Sequence, residues 1–303
     1  MNSIDSILQF HRLLSVPDPL HPMISVVHLE DIRFKNDDLL KRFSTNFYSI
    51  SLKKDVQAKM KYGQNYYDFD KGMLSFTAPK QVQVLDLIEP NLPNNGAGTG
   101  YVLMFHPDFL FKHPLAAAIK SYGFFSYMVN EALHLSEREE RNIEDLFLKI
   151  EEEYQHIDRN TQDIMLSQIE LLLNYSTRFY ERQFITRKVN NHDVLSRMEQ
   201  LLNAYFESEE TLKAGQPSVE SLANQLNLSP HYLSDLLRSL TGQSAQQHIQ
   251  EKLIEKAKEY LSVTNLSVAE IAYQLGFEYP QSFNKLFKKK TSISPLEFRQ
   301  KFN

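Results

Sequence analysis

The chain has 303 residues, a formal net charge of −5, 42% hydrophobic residues and no cysteine. That length suits two domains, or two plus a helical connector, each able to bury a core. Without cysteine, disulfides, thiolate metal sites, cysteine nucleophiles and thiol redox switches are excluded, and a reducing compartment, the cytoplasm, is the expected location.

The N-terminal stretch MNSIDSILQFHRLL has neither a basic start with an apolar run nor a small-residue cleavage site. Nowhere do 18 uncharged apolar residues follow one another, so no membrane partner is expected. Charge is unevenly spread: residues 213–303 carry net +3 and residues 1–212 carry net −8. A mildly basic module on an acidic body favours oriented binding of a polyanion through one face.

Residues 21 to about 110 read as strands. Tyr48, Ile50 and Leu52, then Val56, Ala58 and Met60, alternate with polar neighbours at period 2. Turn signals at Tyr62-Gly63, Asp70-Lys71-Gly72 and Pro90 to Gly100 separate short strands at Met73–Thr77, Val82–Leu87 and Tyr101–Phe105. Closely spaced short strands of this kind predict a barrel or sandwich. Tyr66, Tyr67, Phe69 and Phe76 are expected in its core, with one or two lining a pocket. Gly96, Gly98 and Gly100 precede a strand where a phosphate loop would precede a helix, so they read as a hairpin loop. His106 and His113 lack an HxH pair or a suitably spaced carboxylate; helix-boundary roles are expected of them, with no metal and no cofactor.

From Pro114 the period becomes helical. Residues 137–157 place Ile143, Leu146, Phe147, Ile150, Tyr154 and Ile157 on one stripe opposite an acidic face. The next helix, about 161–185, is apolar on more than one side, which predicts packing on its own domain and on a second copy, a homodimer. The polar run TRKVNNHD, 186–193, is the expected linker, and Val194, Met198, Leu201, Leu202 and Tyr205 open the next helix.

An internal repeat follows. At an offset of 49, Ser218, Val219, Ala223, Gln225 and Leu226 fall on Ser267, Val268, Ala272, Gln274 and Leu275. After a turn one residue longer in the second copy, Leu233, Leu236, Leu237, Arg238, Thr241 and Ser244 fall on Phe283, Leu286, Phe287, Lys288, Thr291 and Ser294. Each copy reads as helix, turn, helix. Ser218 and the Ser267/Glu270 capping box start the first helices. Asn227 and Gly276 tolerate the left-handed conformation that ends them, and Pro230 and Pro280 suit the first position of the second helices.

On a helical wheel, Leu233, Leu236, Leu237 and Leu240 form the core side of the first copy's second helix, leaving His231, Asp235, Arg238 and Ser239 outside. In the second copy Phe283, Leu286, Phe287 and Lys290 face inward and Gln281, Lys285, Lys288 and Lys289 outward. With the adjoining Tyr232, Ser234, Ser282 and Asn284, these outward residues are the candidates to enter a DNA major groove. There Gln can pair with adenine, Arg or Lys with guanine, Asp with cytosine N4, and Lys with phosphate. The helix between the copies, Gln243 to Leu261, spans about 27 Å at about 1.5 Å per residue. That suits two readers held about one DNA turn, roughly 34 Å, apart.

The segment Ser218–Phe302 closely resembles the double helix-turn-helix DNA-binding domain of the AraC/XylS transcription regulators. Its most specific stretch is SVAEIAYQLGFEYPQSFNKLFKKKTSISPLEFR. The family often has Gly where Ser292 stands and a basic residue near Asp235. The strand-rich region with its helical pair is similar to the family's cupin-like sensing domains with dimerisation helices.

The expectation is therefore an α+β chain. Residues 1–130 would form a cupin-like β-barrel or sandwich sensing domain, 131–185 a helical dimerisation segment, 186–194 a linker, and 195–303 an all-α tandem helix-turn-helix domain. The resemblance implies double-stranded DNA and RNA polymerase as partners and a small-molecule effector, with no catalysis. A cupin-type enzyme fused to a DNA-binding tail, or an adaptor binding proteins through its helices, are the competing readings.

Overall fold

The computed structural model describes residues 2–33, 42–54, 61–62, 65–66, 72–84, 98–128, 131–186, 188–208 and 210–301. The chain divides into two compact units, Met1–Gln183 and Phe184–Asn303.

Among the described residues of the first unit, ten strands lie among helices: β1 (Asn2–Ile4), α1 (Ile7–Leu14), β2 (Ile24–His28), β3 (Arg42–Thr45), β4 (Tyr48–Lys54), β5 (Lys61–Tyr62), β6 (Asn65–Tyr66), β7 (Met73–Thr77), β8 (Val82–Val84), β9 (Thr99–Phe105), α2 (Leu115–Ala118), β10 (Leu133–His134), α3 (Glu137–Gln155) and α4 (Thr161–Thr186). They form a five-stranded antiparallel sheet ordered β10-β7-β4-β9-β2, a three-stranded sheet ordered β1-β3-β8 and the small β5-β6 hairpin. Strand β1 runs parallel to β3. The barrel expectation is corrected here: among the described residues the two larger sheets share no strand pairing, so no closed barrel forms. Period-2 alternation marks which side chains face a core, and it is silent about whether the last strand returns to the first.

Register and pleat sort the five-stranded sheet into two faces. On one face lie Ile50 and Leu52 of β4 with Leu103 and Tyr101 of β9 and Phe76 and Leu74 of β7. Helix α3 lies against the β2 end of the sheet; its Ile143, Leu146, Phe147, Ile150 and Tyr154 are buried, and the Phe147 ring stacks on Tyr101. Ile157 departs from the predicted stripe: the helix ends at Gln155, and Ile157 is 47% exposed. The acidic residues of α3 meet cations of the sheet, Glu144 with Lys54 at 2.7 Å and Glu151 with His28 at 2.7 Å. On the opposite face, Val27, Val102 and Met104 join Ile4, Ile7, Phe10, Leu14, Phe43 and Phe47 in a separate core cluster. The remainder of that second face carries Ser49, Ser51 and Lys53 of β4 beside Thr77, Ser75 and Met73 of β7.

Helix α4 buries Met165, Leu166, Ile169, Leu172, Leu173, Phe179 and Tyr180, and leaves Ile164, Leu171 and Ile185 exposed. His106 and His113 sit at helix boundaries, each accepting a backbone N–H at its Nδ1, from Asp108 and Leu115 respectively. Phe76 is buried among Phe124, Phe125 and Tyr180. Val56, Ala58, Met60, Gly63, Tyr67, Phe69, Asp70, Lys71, residues 85–87 and the loop 90–97 lie outside the described residues.

The second unit holds α5 (Lys188–Glu207), α6 (Glu210–Ala214), α7 (Val219–Leu226), α8 (Pro230–Thr241), α9 (Ala245–Val263), α10 (Val268–Gln274), α11 (Pro280–Thr291) and α12 (Pro295–Arg299). The polar run 186–194 is helical from Lys188 onward, and the division between the units falls at Gln183/Phe184. One core joins both repeat copies, including Leu222, Ala223, Leu233 and Leu237 of the first, Ile271, Ala272, Phe283 and Phe287 of the second, and Ile249, Leu253 and Ala257 of α9 between them. Among the described residues no helix is long and apolar enough to cross a membrane.

Candidate nucleic-acid interface

The two repeat copies fold by the same local chemistry. Ser218 and Ser267 cap α7 and α10 through hydroxyls that accept from the third helical N–H, and Glu270 completes its capping box. Hydrogen bonding from the Ser267 hydroxyl and from the Ser267 backbone N–H holds the Glu270 carboxyl below the usual carboxylate range. Both helices end on a left-handed residue, Asn227 at φ 57 and Gly276 at φ 79. In both, the next N–H returns to the matched alanine, Leu228 N to Ala223 O at 2.9 Å and Phe277 N to Ala272 O at 3.0 Å. This six-to-one closure satisfies a terminal carbonyl and turns the chain sharply into the next helix. Pro230 and Pro280 then open α8 and α11, where no N–H is needed.

Gly276 is constrained twice. A Cβ there would lie 2.5 Å from the Gly215 carbonyl carbon and 2.8 Å from the Gln216 nitrogen, both backbone atoms. The Tyr205 hydroxyl donates to the Gly215 carbonyl at 3.0 Å, so α5, the segment before α7 and the second turn meet at one point. At the far end, Arg299 donates to the carbonyls of Leu261 and Leu266, tying α12 to the end of α9.

The buried faces of α8 and α11 orient their outer faces. Leu233, Leu236 and Leu237 are buried on α8, and Phe283 and Phe287 are fully buried on α11. Leu240 and Leu286 are only half-buried. Outward, α11 exposes Gln281, Ser282, Asn284, Lys285, Lys288 and Lys289. Among the described residues none of those three lysines makes an ion pair, whereas Lys290 approaches Glu251 of α9 at 4.0 Å. Little more than one turn of helix, Lys285 to Lys289, thus presents three lysines with no ion pair among the described residues.

Helix α8 is different. His231 and Arg238 are exposed, and Ser234 and Asp235 are half-buried. The Arg238 guanidinium donates to Asp235 at 2.6 Å. The Asp235 carboxylate, expected to face DNA as a free acceptor, is already engaged one helical turn from Arg238, and the pair leaves this face with no net charge. Tyr232 departs from its predicted role: it is buried, with its ring edge-on to Phe184 at 5.2 Å between centroids. A wheel drawn for one helix cannot register a neighbour from another part of the chain. One residue not singled out from sequence is Tyr279, 58% exposed at the N-cap of α11 beside Gln281 and Ser282. Its hydroxyl can donate to a phosphate, and its signal in the sequence was an aromatic residue with no place on an apolar stripe.

Comparison with known proteins agrees with this geometry. Residues 222–301 match the helix-turn-helix domain family. The chain is 31% identical over 143 residues to the HTH-type transcriptional activator RhaS of Enterobacter sp. (strain 638), a match covering 47% of this chain and 49% of that protein. It is 33% identical over 100 residues to the bifunctional transcriptional activator/DNA repair enzyme AdaA of Bacillus subtilis, covering 33% of this chain and 46% of that protein. It is 37% identical over 81 residues to the arabinose operon regulatory protein of Escherichia coli K12, covering 27% and 28%. The chain thus spans less than half the length of these curated relatives. Among solved structures, the C-terminal domain of the two-component response regulator yesN from Fusobacterium nucleatum is 35% identical with a TM-score of 0.29, covering 33% of this chain and 96% of that one. The C-terminal unit carries a helix-turn-helix domain of the AraC type.

Proposed function

We propose that this chain is a sequence-specific DNA-binding transcription regulator. The observation that carries the reading is the pair of outward helix faces, α8 with its Arg238–Asp235 pair and α11 with three lysines that make no ion pair among the described residues, fixed on one shared core. Two helices of this kind suit adjacent major grooves. Phosphate neutralisation falls mainly to α11, and base discrimination is shared by Arg238, Gln281 and Asn284.

In this reading residues 195–303 bind DNA, 186–194 connect, 131–185 join two copies, and 1–130 form a cupin-like sensing domain. The exposed Ile164, Leu171 and Ile185 of α4 support the homodimer. A small effector in the first unit would bias DNA binding and thereby recruitment of RNA polymerase in the cytoplasm. Selection of duplexes from a random library by the full-length protein tests the proposal. An enriched sequence with strongly salt-dependent affinity is expected; recovery of unbiased sequence overturns it.

A further inference from the structure

Adjacent residues Lys53 and Lys54 end β4 on opposite faces of the sheet and have opposite surroundings. Lys54 meets Glu144 at 2.7 Å and Glu140 at 3.7 Å. Lys53 is half-buried and, among the described residues, has neither an ion pair nor a hydrogen bond; burial alone pushes its ammonium below the usual lysine range. An ammonium withdrawn from water without an anion is unfavourable, so the surroundings of Lys53 define what would complete it.

The strand register supplies those surroundings. Ser49 pairs with Thr77, Ser51 with Ser75, and Lys53 with Met73, so all six side chains leave the same face. The four hydroxyls are half-buried, and no side-chain hydrogen bond is made by any of them among the described residues. Buried Met73, Val102 and Met104 flank the row, and Gly100, paired with Lys53 from β9, contributes no side chain. Four hydroxyls and one cation therefore line a strip roughly 13 Å long and about 5 Å wide, bordered by apolar side chains. A solvated sheet face would be exposed, and a packed core face would be apolar. This strip is neither.

We propose that this face binds a small hydroxylated carboxylate of sugar-acid type, with Lys53 holding the carboxylate and Ser49, Ser51, Ser75 and Thr77 the hydroxyls. A single cation suits a monoanion better than a phosphate dianion. Hydroxyls that both donate and accept match a polyol chain, and the four hydroxyl residues, two apart along each strand, span about 7 Å, near the length of an extended six-carbon chain. The inference rests on reading the first unit as the sensing part of the regulator, and it names the ligand class for that part.

The test is calorimetric titration of the full-length protein, without DNA, with gluconate, shorter hydroxy acids, sorbitol as the uncharged counterpart and acetate as the bare carboxylate. At least one hydroxy acid should bind, more tightly than either sorbitol or acetate. Lys53→Met should lower that affinity at least about tenfold, the loss of one charge-assisted hydrogen bond. Ser51→Ala with Ser75→Ala should weaken the hydroxy acid and leave acetate unchanged. Acylation of Lys53 in the unaltered protein, mapped by mass spectrometry, gives a readout that needs no variant: the hydroxy acid should slow it and sorbitol should not. Equal binding of charged and uncharged ligands, no binding by any hydroxy acid, or unprotected Lys53 overturns the proposal. Because DNA is absent throughout, these outcomes are independent of whether the second unit recognises DNA.

Discussion

Replacing Gly276 and Gly242 separately with alanine isolates the cost of one backbone contact. The two glycines have nearly the same φ, 79 and 78, in the left-handed region, so a Cβ meets comparable conformational strain at each. That strain is about 1–2 kcal/mol, less about 0.4–1 kcal/mol recovered from the restricted unfolded chain. Around Gly242 nothing lies within 4 Å of the new Cβ, whereas at Gly276 three backbone atoms of Gly215 and Gln216 lie within 2.8 Å. No flexible side chain can yield there, so an overpacking cost of about 1–3 kcal/mol is added. Gly242→Ala should therefore cost roughly 0.5–1 kcal/mol and Gly276→Ala about 2–4 kcal/mol. Native-state hydrogen exchange on the full-length protein, read in peptides from α9 and α11, measures both. Protected amides should exchange a few-fold faster in the first variant and roughly 30- to 1000-fold faster in the second, at tenfold per 1.4 kcal/mol. Equal acceleration in the two would refute the reasoning, because the contact with Gly215 would then constrain nothing.

Alanine at Lys285, Lys288 or Lys289 should lower affinity for all duplexes alike and reduce the slope of log affinity against log salt by about 0.9 per lysine that meets a phosphate; fluorescence anisotropy across a salt series checks it, and an unchanged slope in all three variants counts against α11 as the phosphate-binding face. Asp235→Asn should raise affinity for arbitrary duplex DNA a few-fold, since it removes a negative charge and frees Arg238, and a fall in affinity would contradict that. Ser292, left-handed at φ 67, ends α11; Ser292→Gly should stabilise the C-terminal unit by about 0.5 kcal/mol in the same exchange experiment. Burial alone would lower the His28 pKa, but its hydrogen bond to Glu151 and the charges of Glu151, Glu30 and Asp31 raise it above 6.5. The stabilisation from this histidine is then complete below pH 6.5 and lost as pH climbs through the raised value. The thermal midpoint of the first unit should fall over that window in the wild type and show a smaller fall in His28→Gln.

What the sequence disclosed was local. Each helix-turn-helix copy could be placed from caps, prolines and left-handed residues because every one of those signals acts within a few residues of itself, and Asn227, Gly276, Pro230 and Pro280 occupy the positions their chemistry demands. Strand β4 was legible for the same reason. What stayed hidden depends on partners distant in sequence. Tyr232 is covered by Phe184, the Gly276 turn is held against Gly215, and the open sheets follow from which strands find each other rather than from their alternation. The acidic face of α3 was legible but its partners were not: its glutamates meet Lys54 and His28 from strands more than 80 residues earlier. Helix α1 and strand β1, short elements at the N-terminus, left no periodic signal long enough to read.

Helix α9 also fixes an angle. It runs unbroken for 19 residues from a capping box at Ser244, with Ala245, Ile249, Leu253, Ala257 and Leu261 buried along its length. Each residue of a helix adds about 1.5 Å of rise and about 100° of rotation. Removing one residue from its middle would scarcely change the separation of the two modules but would turn the second by more than a quarter of a circle relative to the first. The helix is therefore a phase setting as much as a spacer. Selection on its length should tolerate no single-residue insertions or deletions, while substitutions on its exposed side remain free.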